Sequence, residues 1–309
     1  MSSDSKIKAA RLSIISNSLL IAFKLGVGFF IGSVSILSEA IHSAIDLLAA
    51  LLAYFAVKSS SEPADREHAY GHGKFENISG FLEAILIFGA AGWIIYEAVK
   101  KFMNPGEIRL IGLGIFVMAF SSIVNFLVSR KLFKVAEASD SIAIKADAWH
   151  LRTDVWTSVG VMAGLFIIWL CSVVSPRCNL YWLDPVIACL VALMIIKAAY
   201  DLTQQSVNDL LDASLPEKEL EKIAGIIKTH EAVISFKNLK TRKSGAIRFI
   251  DFDLLVDGKI SLENAHSVAD SIAGRIESEM KQAKVMIHIE PCAVPCAEEC
   301  ADHCKKPAK

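Results

Sequence analysis

The chain has 309 residues, 53% of them hydrophobic and 21% charged, and its mean hydropathy of +0.45 is too high for an ordinary soluble enzyme of this length. Its formal net charge of −1, from 32 basic and 33 acidic residues, excludes the broad basic field that nucleic-acid binding needs, so no nucleic-acid partner is expected. Seven cysteines, an odd number with four crowded at the C-terminus, do not describe a secreted disulfide framework.

Crossing ~30 Å of hydrocarbon as a helix takes roughly 20 mostly apolar residues. Six runs qualify: Leu12 to Gly32, Val34 to Val57, Ile78 to Tyr96, Leu110 to Ser129, Ile142 to Ser175 and Leu180 to Ala199. An even number of spans puts both termini on one side. The loops on that side hold nine Lys and Arg, from Lys6 to Lys134, against Lys100, Lys101, Arg109 and Arg177 on the other. The positive-inside rule then makes both termini cytoplasmic and the bilayer the cell's inner membrane. Residues 1–11 read as a cytosolic segment and 12–205 as the transmembrane domain.

Beyond Asp201 charges recur every few residues and the apolar runs stop. A cytosolic domain is expected over 206–291. Pro216 opens a helix to about Lys228, Ala232 to Lys240 and Ile247 to Val256 read as strands, Ser261 caps a helix to about Lys281, and Val285 to Glu290 is a third strand. The expected fold is therefore membrane all-α with six transmembrane helices, followed by a small α+β domain of order α-β-β-α-β. Residues 292–309 form a Cys-rich tail.

One pattern occurs twice. Glu39, Ala40, His42 and Asp46 of the second span match Asp147, Ala148, His150 and Asp154 of the fifth. Two three-helix triplets carrying one motif each start from opposite sides of the membrane, a three-plus-three inverted repeat. Offsets of three and four residues stack each set on one helix face. Ionisable groups there are costly unless they meet a partner or a wet cavity. Facing stripes would bring together two imidazoles and two carboxylates, His42, Asp46, His150 and Asp154, a tetrahedral set suited to zinc whose two negative charges balance the dication.

Two further groups carry metal-ligand chemistry. Asp65, His68 and His72 fall within eight residues of one loop, and the glycines flanking His72 let the backbone fold around an ion. In the tail, Cys292, Cys296, Cys300 and Cys304 recur every four residues, which keeps them near one face of a helix and makes a soft-metal cluster in a reducing compartment. Enzyme readings fail. The single His-Glu pair, His230-Glu231, has Ile234 where a metalloprotease needs its second His, and the phosphate-binding GxxxxGK[ST] pattern does not occur.

These residues resemble the cation diffusion facilitator family, whose members export divalent metals in exchange for protons. Six spans, the paired motifs, the loop from Pro63 to Lys74 and the run from Thr241 to Gly245 carry the likeness, which extends to about Pro291. It implies a homodimer of six-helix bundles with metallochaperone-like cytosolic domains. It also implies a transport site at His42, Asp46, His150 and Asp154 and a loop site at Asp65, His68 and His72. Regulatory zinc is implied at Asp253, His266, His288 and Glu290. Lys237 departs from the family pattern, because a protonated amine cannot ligate a metal. Zinc is the expected ion, transported and regulatory, with Fe2+, Cd2+, Co2+ and Mn2+ as further substrates and protons as the counter-ion. The competing reading is a non-transporting membrane metal sensor or partner subunit using the same ligands.

Overall fold

The computed structural model describes residues 3–31, 34–103, 111–174 and 183–292, and the chain divides into two units, Met1–Val207 and Asn208–Lys309. The first holds six long helices: α1 (Ser3–Ile31), α2 (Val34–Ser60), α3 (Lys74–Met103), α4 (Ile111–Ser139), α5 (Ile142–Val174) and α6 (Leu183–Leu210). Each is 27 to 33 residues long. At 1.5 Å per residue all exceed the ~30 Å of hydrocarbon.

The helices run past the apolar segments from which they were expected, and polar contacts account for this at one end of the bundle. Residues 1–11 were expected to be a polar lead-in, yet α1 begins at Ser3. Lys6, only 7% exposed, places Nζ 2.8 Å from Oε1 of the buried Glu76 in the first turn of α3. Ser60 at the end of α2 donates to the same oxygen at 2.8 Å, and Ser141, just before α5, donates to Oε2. One buried carboxylate thus joins four chain segments. A buried charge is tolerated when it is paired and its remaining lone pairs are filled, as here.

Small residues let the helices approach. Ala9 and Ala10 of α1, Ala56 of α2, Ala136 of α4 and Ala143 and Ala148 of α5 lie in one buried cluster. A second cluster joins α3, α5 and α6 through Ala84, Ile87, Ile142, Ala146, Ile195 and Ala199. Gly80 of α3 is needed at that junction, because a Cβ there would meet Ser206 Oγ at 2.9 Å and Ile142 Cγ1 at 3.2 Å.

The second unit contains α7 (Glu217–Thr229), β1 (Ser235–Ser244), β2 (Ile247–Val256), α8 (Leu262–Glu279) and β3 (Ala283–Pro291), the expected α-β-β-α-β order. The sheet order is β1-β2-β3, with β1 and β2 antiparallel and β2 and β3 parallel. Ser261 caps α8 by accepting the N–H of Asn264 at 3.2 Å. Ile223 and Ile227 of α7, Ile250 and Leu254 of β2, and Ile272 and Ile276 of α8 are fully buried, each contributing roughly 1.5–3 kcal/mol. The first strand extends through Thr241–Ser244, four residues beyond its expected end. Its polar residues are used: Thr241 Oγ1 accepts the N–H of Leu215 at 3.0 Å, and the Arg242 guanidinium lies 4.7 Å from the Phe249 ring.

Candidate metal centres

The loop between α2 and α3 winds around one carboxylate. Asp65 Oδ1 accepts the N–H of Glu67 at 2.9 Å and of His68 at 2.6 Å, a turn that aspartate favours because its side chain imitates the backbone acceptor. Gly71, at φ 87°, takes a left-handed conformation that glycine adopts without steric cost and turns His72 back towards Asp65. His68 Nδ1 then lies 3.5 Å from Asp65 Oδ1, and His72 Nε2 lies 3.3 Å from Oδ2. One ligand atom from each of the three residues lies within 4.8 Å of the others. Phe75, stacked on His72 with ring centres 5.9 Å apart, backs the cluster. Asp65 and His68 are half exposed while His72 is nearly buried. The cluster therefore opens to solvent on one side. The His68 amide bonded to Asp65 holds its carboxyl below the usual 3.8. The Glu67 amide and the charges of His72 and His68 act in the same direction against desolvation. The three residues offer a dication two imidazole nitrogens and a carboxylate.

On α5, Asp147, His150 and Asp154 follow at steps of three and four and share one face. Asp147 is fully buried and His150 is 4% exposed, with Asp154 half-buried. Thr153 Oγ1 donates to the His150 carbonyl at 2.7 Å. Trp149 and Trp156, with rings 5.7 Å apart, occupy the neighbouring face. α2 packs against α5. The side chains of His42 and Asp46 lie outside the described residues.

In the second unit, strand pairing aligns Lys237 with Asp253 and Asp253 with His288, one row across all three strands. Lys237 Nζ lies 2.9 Å from Glu290 Oε2, and His288 Nε2 lies 3.7 Å from Glu290 Oε1. Asn238 sits at φ 54° where the β1–β2 register shifts, and its Nδ2 donates to Asp253 Oδ2 at 2.6 Å. Sequence reasoning passed over this residue; a lone Asn inside a strand pattern was the available signal of a bulge. His266, exposed on α8, lies 3.8 Å from Asp270 one turn on. Among the described residues, Asp65, His68 and His72 are gathered closely enough to share an ion, whereas Asp253, His266, His288 and Glu290 are not gathered so within one chain. Cys292 is half-buried, its N–H bonded to Val256 O at 2.8 Å. Cys296, Cys300 and Cys304 lie outside the described residues.

Residues 10–211 match the family model of the cation efflux transmembrane domain, and residues 215–292 that of the cation efflux protein cytoplasmic domain. The chain belongs to the cation efflux, or cation diffusion facilitator, family. It is 34% identical over 283 residues to the uncharacterized transporter sll1263 of Synechocystis sp., covering 91% of this chain and 89% of that protein. It is 30% identical over 286 residues to the cation-efflux pump FieF of Shewanella oneidensis, covering 93% and 94%. The metal-bound C-terminal domain of the CzcD transporter from Thermotoga maritima is 27% identical, covering 25% of this chain and 94% of that one at a TM-score of 0.24. Family membership makes the chain a membrane transporter of divalent metal cations.

Proposed function

We propose that this chain exports zinc from the cytosol in exchange for protons, through a site shared by His42 and Asp46 of α2 and His150 and Asp154 of α5. The observation that carries this reading is the polar stripe of α5: Asp147 and His150 are buried on a helix that packs against α2, where the same motif recurs. Ionisable groups buried in a membrane helix without a paired countercharge mark ion pathways. Two imidazoles and two carboxylates suit zinc and leave the loaded site neutral, while Fe2+, Cd2+, Co2+ and Mn2+ remain chemically acceptable. An imidazole nitrogen holds either a proton or a metal, so the same atom couples the two flows.

Asp65, His68 and His72 hold a second ion at the loop. Asp253, His266, His288 and Glu290 form a weaker regulatory zinc site, since Lys237 already neutralises Glu290. Cys292, Cys296, Cys300 and Cys304 supply an auxiliary thiolate site. The working protein is a homodimer in the inner membrane with both termini cytoplasmic. In proteoliposomes Asp154→Ala and Asp46→Ala should each abolish zinc flux while dimers persist in size-exclusion chromatography. Wild-type flux in either variant contradicts the site. Zinc binding without flux in the parent protein would make it a sensor.

A further inference from the structure

Two carboxylates of the helical unit are not among the ligands proposed above. Glu83 of α3 and Asp147 of α5 are both 0% exposed. Each has one oxygen held by a serine: Ser79 Oγ donates to Glu83 Oε1 at 3.4 Å, and Ser13 Oγ of α1 donates to Asp147 Oδ1 at 3.1 Å. The other oxygens, Glu83 Oε2 and Asp147 Oδ2, are buried and meet no donor among the described residues. Glu76, two turns earlier on α3, shows what a satisfied buried acid looks like here, with a lysine and two serines on its oxygens.

The two open carboxylates belong together. α3 and α5 meet at Gly80 and Ile142, and Glu83 and Asp147 follow three and five residues later on their helices, about 4.5 and 7.5 Å further along. α3 packs against α5, and Asp147 and His150 both act electrostatically on Glu83. Two desolvated carboxylates close to one another cannot both stay ionised without a counter-charge, so they either take up protons or share a cation.

We propose that Glu83 and Asp147 form a second divalent-cation site of the transport path, one turn before His150 on α5, at which the ion is held between solvent and the α2–α5 site. Two carboxylates balance a dication, and the Ser13 and Ser79 hydroxyls lie beside them as further oxygen donors. An all-oxygen site binds zinc less tightly than a site with imidazoles, as a waypoint requires. The proposal rests on the reading that the ion travels along α5.

The test counts zinc per chain in full-length, folded, detergent-solubilised protein by equilibrium dialysis and elemental analysis, together with zinc flux in liposomes. Glu83→Gln, Asp147→Asn and the double variant should each lose the same single ion and slow flux at least tenfold, whereas Asp154→Asn should retain that ion. Unchanged stoichiometry in Glu83→Gln overturns the proposal, and so does slowed flux with unchanged stoichiometry, which would assign the carboxylates to protons. Loss of two ions in the double variant also overturns it, because two separate sites would then exist. If Glu83→Gln fails to fold, Asp147→Asn alone decides through the same ion. Wild-type flux in Asp154→Asn would sink the α2–α5 transport site and leave the ion count of Glu83→Gln readable.

Discussion

The loop cluster and the open face of the three-stranded sheet draw on the same side chains, carboxylates beside imidazoles, and are satisfied in different ways. In the loop the Asp65 carboxylate is faced by His68 and His72 at 3.5 and 3.3 Å. On the sheet Glu290 has His288 at 3.7 Å but also the Lys237 ammonium at 2.9 Å. An imidazole ligates through an unprotonated nitrogen, so His68 and His72 can exchange a proton for a metal at the loop. A tethered ammonium cannot ligate and has to be displaced, so the sheet face carries its own cation. Residue types alone do not make a metal site; what matters is whether the protein has already supplied the charge.

The extreme case of a carboxylate filled by its own lysine is Glu76. Glu76→Ala strands the Lys6 ammonium in the bundle, and the expected loss is about 3–5 kcal/mol, seen as a lower midpoint in thermal unfolding in detergent. An unchanged midpoint would mean that Lys6 escapes to solvent and that the junction is not structural. On the open side of the comparison, Asp65→Ala removes one of three gathered ligands, and zinc affinity at the loop should fall about 100-fold or more, measured by competition with a chromogenic chelator. An equal affinity would remove the loop from the metal-binding inventory.

Lys237→Ala should convert the filled cluster into an open one. Zinc affinity attributable to the second unit should rise roughly tenfold as Glu290 and His288 are released, while stability changes by less than about 1 kcal/mol because the pair is partly exposed. If affinity does not rise, Lys237 is not what limits that face. The smallest effect concerns pH. With its carboxyl held below the usual 3.8, Asp65 steadies the folded loop above that value, and the contribution fades as pH falls through the lowered one. Between about pH 5 and 8, well above the carboxylate range, Asp65 stays ionised, so Asp65→Asn should weaken zinc binding throughout that window. Equal zinc binding by Asp65→Asn across the window would show that the Asp65 charge plays no part in holding the ion.

Much of this architecture was readable from the sequence because apolar run length sets membrane helices and alternation sets strands. The α-β-β-α-β order and the Ser261 cap followed from local pattern. Helix ends did not. Lys6 and Glu76 read as the polar flanks of apolar runs, and only a pairing across 70 residues turns them into a buried junction. The last four residues of β1 lack an apolar alternation, since Arg242 buries Phe249 through its guanidinium rather than through a hydrophobic side chain. The gathering of Asp65, His68 and His72 was legible because all three lie within eight residues with a glycine to turn them. The engagement of Glu290 by Lys237 depends on strand register, which the sequence does not spell out. Glu83 was visible as the one charge of its apolar run, but Asp147 is 64 residues away and joins it only through the packing of α3 on α5.

The central claim is coupled exchange of metal and protons through His42, Asp46, His150 and Asp154. It is tested most directly by zinc flux in liposomes reconstituted with the purified protein under an imposed pH gradient. The account predicts that zinc moves toward the more acidic side and that inverting the gradient inverts the flux. Zinc flux indifferent to the gradient, or absent while zinc remains bound, would contradict it.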